Sequence, residues 1–79
     1  MKEYTVISHH NGRATEYTGT LEYLIGNVFG YTLDCGHSWE HEEGCRKVNM
    51  NPKTGKALVT ALNNAADNCR RYSDWYELG

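Results

Sequence analysis

The stretch Tyr4-Thr5-Val6-Ile7-Ser8-His9-His10-Asn11-Gly12-Arg13-Ala14-Thr15-Glu16-Tyr17-Thr18 decides the fold. On both sides of Asn11-Gly12 the side chains alternate with the period of a strand, and an Asn-Gly pair favours the type I′ turn, which needs positive φ at both central positions. The stretch predicts a hairpin with strands at about 3–9 and 14–18. A turn of that length fixes the register: Val6 falls opposite Tyr17 and Ser8 opposite Thr15, with Tyr4 on the same face, so that face packs inward. Ile7, His9, Ala14 and Glu16 fall on the other face, and His9-His10 reads as a polar flank of the turn.

Working outward, Thr20 can cap a helix over about 20–29 whose apolar residues Leu21, Leu24, Ile25, Val28 and Phe29 make one buried stripe, with Gly30 as its stop. Tyr31-Thr32-Leu33-Asp34 resumes the strand period, Arg46–Met50 is its expected antiparallel partner, and 36–44 becomes the connecting excursion. Asn51-Pro52, or alternatively Thr54, opens a second helix that runs to about Arg71. Its narrow stripe is Leu58, Ala61, Leu62, Ala65 and Cys69, with Cys69 a small core residue, while Asn63, Asn64, Asp67 and Arg70 are expected to face water. Asp74–Leu78 closes the chain as a strand with Tyr76 and Leu78, or else Trp75, turned inward. The order β-β-α-β-β-α-β implies a single α+β domain over 1–79, a mostly antiparallel sheet with two helices packed on one face. One open sheet face, or the 36–44 excursion, is then free to bind.

A chain of 79 residues buries only roughly 60% of its unfolded surface, so association with a partner or as a homodimer is an expected source of stability. The hydrophobic content of 39%, with six tyrosines and two tryptophans, is too high for a disordered tail. No stretch reaches the roughly 20 apolar residues of a membrane span, and a strand pattern follows Met1 in place of a signal-peptide core. The expected location is the cytoplasm, away from membranes. Three cysteines, an odd number, argue against a secreted disulfide framework. The net charge of −2 gives little general attraction to nucleic acid.

Charge is segregated along the chain. Asp34-Cys35-Gly36-His37-Ser38-Trp39-Glu40-His41-Glu42-Glu43-Gly44-Cys45 has no lysine or arginine, and Arg46, Lys47, Lys53 and Lys56 follow with no acid among them. Cys35, His37, His41 and Cys45 supply the ligand count of a tetrahedral zinc site, at a spacing unlike known zinc fingers. The same residues also read as a solvated turn or as a Cys35–Cys45 disulfide. A thiol nucleophile at Cys35 or Cys45, with His37 or His41 as base, would lack a third group and an oxyanion hole, so no catalytic role is expected. Trp39 has no place in a periodic core pattern; it is either an interface anchor or a lid on a thin core. Flanked by Asp34, Glu40, Glu42 and Glu43, it would make an acidic surface suited to a basic partner. Arg46, Lys47, Lys53 and Lys56 are the case for direct nucleic-acid contact, and the stacking aromatics that contact would need are not interleaved with them.

The runs Tyr31-Thr32-Leu33, Asn51-Pro52-Lys53-Thr54, Leu58-Val59-Thr60-Ala61-Leu62-Asn63-Asn64-Ala65 and Trp75-Tyr76-Glu77-Leu78 resemble small proteins encoded by bacteriophages and mobile elements. The resemblance implies a non-enzymatic inhibitor of a bacterial defence system, of anti-CRISPR or anti-restriction type. It would act in the host cytoplasm on a host protein that handles nucleic acid, through Asp34, Trp39, Glu40, Glu42 and Glu43. The alternative is a small module stabilised by zinc on Cys35, His37, His41 and Cys45. One concentrated patch is a smaller acidic excess than a DNA mimic carries.

Overall fold

The computed structural model describes residues 2–39 and 42–79 and has an α+β fold. Strands β1 (Tyr4–His10) and β2 (Arg13–Gly19) form the expected hairpin, with Val6 opposite Tyr17 and Ser8 opposite Thr15. Asn11 at φ 49° and Gly12 at φ 82° supply the turn's positive φ values, which asparagine and glycine tolerate best. Strand β3 (Asp74–Leu78) pairs antiparallel with the other side of β1, setting Tyr76 opposite Ser8 and Trp75 opposite His9. Among the described residues the antiparallel sheet has three strands in the order β2-β1-β3. Tyr76 turns inward at 7% exposure and Trp75 outward at 50%.

The helical layer differs from the expected order. Thr20 does cap the first helix, its Oγ1 accepting from the Tyr23 N–H at 3.1 Å. Helix α1 (Leu21–Tyr23) then widens into a π segment over Leu24–Val28, closed by the Phe29 N–H donating to the Leu24 carbonyl at 2.8 Å. Residues five apart point about 140° apart on an α-helix; the wider turn brings Leu24 and Phe29 to one side, where both are buried. Gly30 is not a stop. The Leu33 N–H donates to the Phe29 carbonyl at 3.0 Å, and helix α2 (Gly30–His37) continues the layer.

The strands expected at 31–34 and 46–50 do not form. Tyr31–Asp34 lies inside α2 because Phe29, Leu33 and Gly36, spaced i, i+4, i+7, are buried together while Tyr31 and Asp34 are exposed. Gly36 matters for its lack of a side chain: a Cβ there would lie 2.2 Å from Cβ of Ala65. That contact is where α2 crosses helix α3 (Gly55–Asn68). Thr54, not Asn51, caps α3, its Oγ1 accepting from the Ala57 N–H at 3.0 Å, and Pro52 is buried in the preceding loop. Leu58, Ala61, Leu62 and Ala65 form the expected buried stripe, and α3 lies against β3 and β1. It ends at Asn68, a turn short of Arg71, with Arg70 reversing the chain at φ 57°.

Asparagines of α3, expected in part to face water, instead take over strand pairing. Asn63 accepts from the Tyr76 N–H at 2.8 Å and donates to the Tyr76 carbonyl at 3.0 Å. Asn68, 6% exposed, does the same to Arg46: its Oδ1 accepts from the N–H at 2.7 Å and its Nδ2 donates to the carbonyl at 2.7 Å, and also to the Gly36 carbonyl at 3.0 Å. Asn64 donates to the Lys47 carbonyl at 3.3 Å. The backbone of Arg46 and Lys47 is thus bound to helix side chains instead of a neighbouring strand, and Val48 still reaches the core.

The core joins both layers. Phe29 meets Tyr17 and Tyr76 edge to face, with ring centroids 5.5 and 5.8 Å away. Burial holds the Tyr76 phenol above the ordinary tyrosine range, and side-chain hydrogen bonds with Thr32 and Ser8 act the other way. The folded state therefore binds the phenolic proton more tightly than the unfolded state. That contribution is fully present below the unfolded value of about 10 and is lost as pH rises through the folded one. Urea titrations from pH 9 to 12 should show a steeper alkaline loss of stability in the native sequence than in Tyr76→Phe; parallel curves would refute this. Among the described residues no helix is long and apolar enough to cross a membrane.

Candidate functional site

Helix α2 delivers the Cys/His/Trp/Glu stretch to its own C-terminal end. There the Ser38 N–H donates to the Asp34 carbonyl at 3.2 Å, the Ser38 hydroxyl to the Cys35 carbonyl at 2.8 Å, and the Trp39 N–H to the Gly36 carbonyl at 3.4 Å. The Glu42 N–H donates to the Trp39 carbonyl at 3.1 Å and the Cys45 N–H to the Glu42 carbonyl at 3.0 Å. Gly44 at φ 85° takes the third position of the latter turn, as type II geometry requires. The backbone of Trp39 is held while its side chain remains 40% exposed.

Asp34, Glu42 and Glu43 are exposed on this same segment. Glu40 and His41 lie outside the described residues. The acidic surface borders directly on arginines: Glu42 and Glu43 line a cleft of about 350 Å³ together with Arg46, Asp67, Arg70 and Tyr72. Arg46 Nε donates to Asp67 Oδ2 at 3.2 Å across this surface. Of the expected basic set, Arg46 lines this cleft. Lys47 and Lys56 line a different hollow, and Lys53 a further one beside Leu21 and Ile25.

The proposed zinc set Cys35, His37, His41 and Cys45 includes one residue, His41, outside the description. Among the described residues, no group of three or more possible ligands is arranged to hold a metal ion. Cys35 instead faces Cys69. The Cys69 thiol donates to Cys35 Sγ at 3.4 Å, and all three cysteines are free and half-buried. Burial pushes the Cys69 thiol up, the hydrogen bond and charge of Cys35 push it the same way, Arg71 pulls it down and Cys45 adds a smaller push upward. Cys35, Cys69, Trp39, Arg70 and Arg71 line a pocket of about 280 Å³.

Sequence reasoning missed the Cys35–Cys69 pairing, because Cys69 continues the stripe of Leu62 and Ala65 and reads as core. It also missed Asn68. The available signal was its position at i+7 from Ala61 and i+3 from Ala65, an amide on an apolar face.

His9, on the open sheet face, and His10, on the opposite one, are both bound across to β3. The His9 ring stacks on Trp75 at 3.7 Å with an interplanar angle of 2°, and its Nε2 lies 2.6 Å from Glu77 Oε2. His10 Nδ1 meets the Asp74 carboxylate. These pairs account for Trp75 facing outward. No protein-family model, curated protein or solved structure matches the chain.

Proposed function

We propose that this chain is a non-enzymatic binding protein whose contact surface is the loop from the end of α2 to Arg46, centred on Trp39. The observation that carries this reading is the half-exposed Trp39 side chain on a turn fixed by its own backbone, with Asp34, Glu42 and Glu43 exposed around it. A large aromatic held rigidly at a surface loses little freedom on binding and is the residue type most enriched at interface anchors. The carboxylates steer a basic partner, and the adjoining Arg46 and Arg70 favour a protein surface with both signs over mimicry of a uniformly charged DNA backbone. In keeping with the sequence's resemblance to small phage proteins, the partner we infer is a host defence protein that handles nucleic acid, inhibited in the host cytoplasm in the anti-CRISPR or anti-restriction manner.

The test is phage plating on bacteria with an active CRISPR or restriction system. Expression of the native chain should restore plaques, and Trp39→Ala with Glu42→Lys and Glu43→Lys should reduce the rescue at least about tenfold. Circular dichroism confirms that the variant remains folded. Equal rescue by the variant would refute the loop; no rescue by the native chain against any system tried would refute the anti-defence role.

A further inference from the structure

We propose that Cys35 and Cys69 form a thiol–disulfide exchange site for small anionic disulfides of the glutathione class, with Cys35 as the attacking thiol and Cys69 as the resolving thiol. This assignment stands apart from the loop's binding role. The sulfur atoms are 3.4 Å apart, and closing to the roughly 2.0 Å of a disulfide takes about 1.4 Å of movement. The order of attack follows from the surroundings of Cys69: burial and the neighbouring Cys35 hold its thiol above the ordinary cysteine range, so Cys69 keeps its proton and serves as the resolving thiol. Access comes through the pocket lined by Trp39, Arg70 and Arg71, whose guanidinium groups match the carboxylates of a glutathione-like reagent. The chain reversal at Arg70 sets both arginines directly after the resolving thiol.

The chemistry balances without a metal or a flavin. The Cys35 thiolate attacks one sulfur of the small disulfide; that S–S bond breaks, and the departing thiolate takes up a proton equivalent to the one Cys35 gave up. Cys69 then loses its proton and attacks Cys35 Sγ, expelling the second small thiolate, which is protonated in turn. The two protein thiols are oxidised to one disulfide and the small disulfide is reduced to two thiols. The new bond ties the C-terminal end of α2, from which the Trp39 loop departs, to the C-terminal end of α3.

The experiment equilibrates the purified chain in glutathione/glutathione-disulfide mixtures, quenches with acid, alkylates and maps the peptides. Expected are the loss of two hydrogens in mass, a Cys35–Cys69 crosslink with Cys45 alkylated, and a thermal midpoint raised by about 10 °C or more. Cys69→Ser should trap a glutathionyl adduct on Cys35, whereas Cys35→Ser should form none on Cys69. Arg70→Glu with Arg71→Glu should slow oxidation by glutathione disulfide roughly tenfold while sparing oxidation by the cationic disulfide cystamine. Should a variant fail to fold, the crosslink map of the native chain and its rate ratio between the two reagents decide alone. The proposal is overturned by thiols that stay alkylatable in glutathione disulfide, by a crosslink to Cys45, or by equal rates with both reagents.

Discussion

Asn68→Asp should cost about 4 kcal/mol, close to the whole stability expected of a domain this small. One carboxamide satisfies the N–H and carbonyl of Arg46 and the carbonyl of Gly36. Aspartate has nearly the same shape and keeps the acceptor for the Arg46 N–H. It loses both donors and turns a buried negative charge toward the carbonyl oxygens. Each orphaned buried group costs about 1–3 kcal/mol, and the unpaired charge adds to that. Urea denaturation at pH 7 should show the variant largely unfolded before denaturant is added. Acidification that protonates the new carboxyl returns one donor and should recover part of the loss. A midpoint within about 1 kcal/mol of the native chain would show that the amide is not the joint between α2, α3 and the 46–48 segment.

Gly36→Ala is the second large effect, for a steric reason. The added methyl would sit 2.2 Å from Ala65 Cβ, 2.4 Å from its Cα and 2.8 Å from its carbonyl oxygen. Two of these atoms are backbone, so a rotamer change cannot relieve the clash and α2 must move off α3. Overpacking of this kind costs about 1–3 kcal/mol or more. Combining it with Ala65→Gly removes the Cβ clash and leaves the backbone ones, at a helix-propensity cost of about 1 kcal/mol. The double variant should therefore be no less stable than Gly36→Ala alone, and the two changes should be coupled by at least about 0.5 kcal/mol. Simple additivity would place the contact elsewhere.

The hairpin was legible because its information is local. Asn11-Gly12 sets the turn, and a turn of known length sets every cross-strand pair that follows. The stripe of α3 was legible because Leu58 and Leu62 give it a clear period. Helix α2 was not. Its contact with α3 is made by Leu33 and a glycine, and a glycine packed on an alanine leaves no mark in a hydropathy pattern, so Tyr31-Thr32-Leu33 read as strand alternation. Residues 46–50 alternate as a strand would, yet the backbone of Arg46 and Lys47 bonds to side chains of a helix, which composition does not reveal. The candidate site inherits these errors. Its acidic and aromatic members are contiguous and were visible, whereas Cys69, Arg70 and Arg71 reach it only because α2 crosses α3, the contact that a strand at 31–34 would have excluded.

The carboxamide of Asn63 bears on how this molecule assembles. It occupies both main-chain groups of Tyr76 at the middle of β3, while residues 13–18 of β2 are exposed. Endless stacking of copies needs a receptive rim on each flank, and one flank here is occupied at its middle. Among the described residues β2 is the sheet's other flank, so two copies joined through it would leave no second β2 rim exposed, and strand addition by that route would stop at a pair.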